Sequence, residues 1–124
     1  MDFLNYDWID SDIENIYVEY DHAKLIIFND TCRKRLSVDC YGFVGINNLC
    51  MWDDTIIMSA HVHNVCHLDN EFIRNLYAAY DENSDYGGRS LKNGLMELKI
   101  ELVNGIAFSL YCQKIEVSED NSSC

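Results

Sequence analysis

At 124 residues, with nine Lys and Arg against 21 Asp and Glu, the chain carries a formal net charge of -12. Charge of that sign repels nucleic acid and anionic membrane and steers basic partners toward the surface, so nucleic-acid and membrane binding fall out of consideration. A hydrophobic fraction of 48% is too high for a disordered acidic chain and suits one folded domain with its own core.

The opening Met1-Asp2-Phe3-Leu4-Asn5-Tyr6-Asp7 has neither the basic nor the apolar region of a secretory signal. The longest apolar runs, such as Leu25-Ile26-Ile27-Phe28, are far too short to cross a bilayer. A cytoplasmic protein is expected. Its six cysteines (Cys32, Cys40, Cys50, Cys66, Cys112 and Cys124) are then read as reduced thiols rather than a disulfide framework. Proline is absent, so no proline-hinged linker divides the chain.

The first periodic segment runs from Ile13 to Tyr20. Ile16, Val18 and Tyr20 alternate there with Tyr17 and Glu19, the pattern of a strand. Asp21-His22 turns into a second strand, Lys24 to Phe28. Beyond the Asn29-Asp30 turn, Leu36, Val38 and Cys40 share one face of a third strand, which continues past a bulge at Gly42 into Phe43 to Ile46. A fourth strand spans Thr55 to Val62. Phe72, Ile73, Leu76, Tyr77 and Tyr80 then recur at helical spacing, with Asp69 as N-cap and Leu68 stapled to Ile73. Residues 81–93 are polar and read as a loop.

The last pair of strands is the best specified. Met96, Leu98, Ile100 and Leu102 alternate with Glu97, Lys99 and Glu101; Ile106, Phe108, Leu110 and Cys112 alternate with Ala107, Ser109, Tyr111 and Gln113. A two-residue turn at Asn104-Gly105 would place Leu102 opposite Ala107 and mismatch the faces. A three-residue loop, Val103-Asn104-Gly105, pairs Ile100 with Phe108, and therefore predicts Gly105 left-handed in a G1 bulge. The expected fold is α+β: an antiparallel sheet of about six strands with one main helix packed on it. The domain is expected to occupy residues 1–117, with 118–124 a frayed C-terminal tail.

Two segments set a tryptophan among carboxylates: Tyr6-Asp7-Trp8-Ile9-Asp10-Ser11-Asp12 and Trp52-Asp53-Asp54. An exposed aromatic beside carboxylates suits a hot spot against an Arg- or Lys-rich surface. Trp8, Asp10, Asp12, Trp52, Asp53 and Asp54 are therefore the candidate partner-binding residues. His61, His63, Cys66 and His67 form the one metal-like cluster, because alternate strand residues share a face. Their spacing matches no defined zinc pattern, and a polar strand face leading into a helix explains them as well. Asp10-Ser11-Asp12 lacks the glycine and distal Glu of a calcium loop. Gly87-Gly88-Arg89-Ser90 lacks the spacing and lysine of a phosphate loop. No catalytic motif is present, and no cofactor is expected.

Small size, acidity, a single domain and the Trp52-Asp53-Asp54 segment resemble the small cytosolic immunity proteins of bacterial polymorphic toxin systems. That resemblance implies a non-enzymatic protein that neutralises a toxin domain, often a basic nuclease, by covering its active site. The acidic surface would then occupy the toxin's phosphate- or substrate-binding cleft. The alternatives are a small metal- or ligand-binding domain using His61, His63 and Cys66, and a structural homodimer paired through an exposed sheet edge.

Overall fold

A computed structural model of the protein describes residues 3–47, 55–65, 71–82 and 94–120, with backbone only at 4 and 77–82. Within these residues eight strands follow one another as β1 (Asp12–Val18), β2 (His22–Asn29), β3 (Lys34–Tyr41), β4 (Gly45–Asn47), β5 (Ile57–Asn64), β6 (Met96–Leu102), β7 (Ala107–Cys112) and β8 (Lys114–Glu119). A short 3-10 turn, Phe3–Asn5, precedes them, and among the described residues one helix, α1 (Glu71–Glu82), lies between β5 and β6.

The strands form two four-stranded antiparallel sheets, ordered β1-β2-β3-β8 and β4-β7-β6-β5. Each sheet turns one apolar face inward, as period-two alternation requires. From the first sheet come the rows Ile16-Leu25-Val38-Val117 and Ala23-Cys40-Ile115; from the second, Val62-Leu98-Leu110-Ile46 and Ala60-Ile100-Phe108. These faces pack into one core in which Leu25, Val38, Leu98, Ile100 and Leu110 are wholly buried.

The expected α+β arrangement is therefore not what forms: the domain is mostly β, with two sheets covering one another. The apolar faces of the two sheets cover one another, which leaves the helix no core face to cover. It packs instead on the outside of the second sheet, where Phe72 and Ile73 join Val65, Leu95 and Tyr111 in a separate small cluster. Residues Phe43 to Ile46 do not extend β3 within its sheet. The chain leaves that sheet at Gly42, whose φ is 65°, and enters the other as β4. Ser118 and Glu119, expected in a tail, lie in β8 and pair with Ser37 and Leu36.

Because β3 pairs with β8 and β4 with β7, the two sheets share one antiparallel ribbon that bends at Gly42 and Gln113. Gln113 N donates to Tyr41 O and Val44 N to Tyr111 O, each at 2.9 Å, so backbone pairing persists through the bend. Strands that switch sheets in this way make the corners of sandwiches. The opposite corner closes where Asp10 N donates to Ile57 O and Ile57 N to Ser11 O, both at 2.8 Å, and Ile13 N to Thr55 O at 3.0 Å.

The β6–β7 hairpin has the expected register. Ile100 faces Phe108, Leu102 N donates to Ile106 O, and Gly105 adopts φ 91°.

Candidate functional site

Across the outer face of the first sheet runs a groove of about 670 Å³. Alternation turns Tyr17, Lys24, Asp39 and Glu116 outward in one cross-strand row and Asn15, Ile26, Ser37 and Ser118 in the next. A bulge in β1 inserts Glu14 between the pairs Ile13–Ile27 and Asn15–Ile26, so that Glu14 and Asn15 both line the groove. Glu14 grips Arg35, with Arg35 Nε 2.5 Å from Oε1 and Nη2 3.4 Å from Oε2. That hydrogen bond, with the Glu14 charge, raises the already high pKa of the guanidinium.

Beneath the groove lies the carboxylate of Asp39, whose side chain is 13% exposed. A buried carboxylate is costly unless hydrogen-bonded. Here Oδ1 lies 2.7 Å from His22 Nε2, and Oδ2 accepts from Ser37 Oγ at 3.0 Å. The His22 ring stacks on Tyr41 with centroids 5.0 Å apart. Burial, then the charges of Asp39 and Glu116, push the Tyr41 phenol above its ordinary value. The serine donates to the carboxylate and not to the imidazole, so the trio is not wired as a nucleophile, base and orienter. It satisfies a buried charge and fixes the floor. Tyr17 and Glu19, both exposed, line the groove.

A second polar cluster occupies the outer face of the other sheet, beside α1. His63 Nε2 lies 2.7 Å from Glu97 Oε1, while Glu97 Oε2 accepts from Ser109 Oγ at 2.5 Å and Tyr111 Oη at 3.0 Å. Tyr111 is 1% exposed, with the Phe72 ring 5.2 Å away. Burial first, and the Glu97 charge second, push its phenol up to about 12.

The sequence-derived candidates distribute as follows. Trp8 is not an exposed hot spot: it is 5% exposed, stacks on Phe3 at 4.6 Å and donates its indole N–H to Phe3 O at 2.9 Å. An aromatic ring flanked by carboxylates in sequence has here been drawn inward as the plug at the end of the core. Asp10 is exposed with φ 65°, and Asp12 is half-buried and accepts a hydrogen bond from Thr55 Oγ1. Trp52, Asp53 and Asp54 lie outside the described residues, and the chain resumes at Thr55 against Asp12 and Ile13.

His61 and His63 do share a face, opposite Lys99 and Glu97. Cys66 and His67 lie outside the described residues, and among those described no three His, Cys, Asp or Glu are grouped to hold a metal ion.

Sequence reasoning missed the groove. Tyr17 and Glu19 were visible as the second face of the first strand. The cross-strand neighbours that turn them into a site, Lys24 opposite Asp39 above all, depend on a register that one strand does not reveal.

Fold and site together define an acidic antiparallel β-sandwich with an open aromatic and polar groove on one sheet. The chain matches no protein-family profile and no curated protein sequence. No helix among the described residues is long and apolar enough to cross a membrane.

Proposed function

We propose that this chain is a non-enzymatic, cytoplasmic binding protein of immunity type that neutralises a basic protein partner, and that the groove of the first sheet is its contact surface. The observation that carries this reading is the composition of the groove. Glu14, Glu19 and Asp120 outnumber Lys24 and Arg35, and Arg35 is already held by Glu14. Exposed Tyr17 adds the flat, rigid contact area on which cationic side chains stack. The overall charge of -12 works in the same direction by accelerating encounter with a basic surface.

The test is capture from lysate of the source organism by the tagged chain, with elution by rising salt. One basic protein is expected near stoichiometry, released at high salt. Tyr17→Ser combined with Glu19→Lys should abolish its retention while leaving the circular dichroism spectrum unchanged; both side chains are exposed, so the fold tolerates the change. Retention equal to wild type rejects the groove as the contact surface. Loss only in Asp53→Lys/Asp54→Lys moves the contact to that segment instead.

A further inference from the structure

Two cysteines meet at the bend of the shared ribbon. Cys40 is the last residue but one of β3 and Cys112 the last of β7, so they belong to different sheets. Both side chains point inward, both are 0% exposed, and both join the same core cluster. The backbone holds their neighbours together on either side: Gln113 N donates to Tyr41 O, and Val44 N to Tyr111 O. The approach is close enough that a Cβ on Gly42 would sit 2.9 Å from Gln113 Cβ. The Cys112 thiol is near enough to act on the Cys40 thiol electrostatically.

Buried cysteines commonly act as small core hydrophobes. Space filling alone, however, does not call for two thiols, one from each sheet, in one core cluster beside a backbone clamp. We propose that Cys40 and Cys112 form a specific inter-sheet disulfide pair, reduced in a reducing compartment and closed when the chain folds in the presence of a disulfide oxidant.

The chemistry is two successive exchanges. The thiolate of one cysteine attacks a sulfur of the oxidant, for example oxidised glutathione; the oxidant's S–S bond breaks, a mixed disulfide forms and one glutathione thiolate leaves. The thiolate of the second cysteine then attacks the protein sulfur, forming the Cys40–Cys112 bond and expelling the second glutathione. The two protons of the cysteine thiols end on the two glutathione thiolates, the oxidant gains two electrons, and the protein pair loses them. The window for this is during folding. In the folded chain the interaction with Cys112, followed by burial, holds the Cys40 thiol well above its ordinary pKa. Exposed Cys32 is in contrast open to reagents at all times.

The experiment refolds the full chain from denaturant in a glutathione redox buffer and, separately, in excess dithiothreitol. After thiol trapping, non-reducing peptide mapping reads the linkage. The expected product of oxidative refolding is a Cys40–Cys112 cross-linked peptide, with the parent mass lower by two hydrogens. The oxidised form should melt higher than the reduced one by on the order of 10 °C, since the bond closes a loop of about 70 residues in the unfolded chain.

In the reduced folded protein, iodoacetamide should label Cys32 while Cys40 and Cys112 react only after denaturant is added. A variant retaining only these two cysteines (C32A/C50A/C66A/C124A) checks that the linkage needs no other thiol. If that variant fails to fold, the peptide map of the natural chain decides alone. Recovery of Cys40 and Cys112 as free thiols from correctly refolded, oxidised material, or their pairing with other cysteines, overturns the proposal.

Discussion

Gly42→Ala tests the bend of the shared ribbon directly. Gly42 has φ 65°, a conformation that costs an L side chain roughly 1–2 kcal/mol. An added Cβ would also lie 2.7 Å from Gln113 Oε1 and 2.9 Å from Gln113 Cβ. The amide end can swing away, but Gln113 Cβ moves only with the backbone that donates to Tyr41 O. Overpacking of this kind costs about 1–3 kcal/mol. The methyl group stiffens the unfolded chain and returns roughly 0.4–1 kcal/mol. A net loss of about 2–3 kcal/mol is expected. With an unfolding entropy of about 2.1 cal/mol/K for each residue, a chain of 124 residues then melts roughly 8–12 °C lower.

Gly105→Ala is the control. Its φ of 91° is equally unfavourable, yet nothing lies within 4 Å of the new Cβ, so only the backbone part of the cost should appear. Urea denaturation of Gly42→Ala, Gln113→Gly and the double variant isolates the steric part as a coupling energy of about 1 kcal/mol or more. If Gly42→Ala matches Gly105→Ala and shows no coupling to Gln113, the close approach of the two strands at the bend is refuted.

Tyr111→Phe removes the phenol that donates to Glu97 and should cost about 1 kcal/mol at neutral pH, read from the urea midpoint. The natural chain should also lose stability between about pH 10 and pH 12. Over that range an unfolded tyrosine gives up its proton while Tyr111, pushed up to about 12, retains it. The stabilisation is full below the unfolded pKa, fades as pH rises through that window, and amounts to at most about 3 kcal/mol. Equal alkaline slopes in the natural chain and the phenylalanine variant would remove Tyr111 as the cause. Ile100→Ala, at a wholly buried position between Ala60 and Phe108, should cost about 2–5 kcal/mol, against about 0.5 kcal/mol or less for outward-facing Lys99→Ala. Similar losses at the two positions, by thermal or urea unfolding, would show that the faces of β6 are wrongly assigned.

Much of the strand content was legible because alternation is a local signal. Leu98, Ile100 and Leu102 against Glu97, Lys99 and Glu101 announce both strand and inward face, and the placing of Gly105 followed from matching faces across the hairpin. What alternation does not say is which surface covers an apolar face. Phe72, Ile73 and Leu76 offered a helix as the cover, and the true cover was a second sheet assembled from the same kind of strand. The Gly42 crossing was misread as a bulge for a related reason: a left-handed glycine is needed equally by a bulge and by a strand changing sheets. In the site, the sequence did not say which side chains of the aromatic-acidic segment face solvent: Asp10 is exposed and Asp12 half-buried, whereas Trp8 was drawn into the core by contact with Phe3 and Tyr6. Its neighbours in sequence carried no hint of that, since Ile9 beside it is 55% exposed.

The bent ribbon also sets the order in which this protein is able to fold. Its two arms are joined only when residues 36–47 meet residues 109–119, so every pairing in it spans about half of the chain or more. During synthesis from the N-terminus, β1, β2 and β3 can zip together early. One side of β3 then stays unpaired until β8 leaves the ribosome. Pairings of such long range form slowly, and an open strand edge invites association with other chains in the interval. A dense negative charge keeps like copies apart during that wait, whatever else it does for the finished molecule.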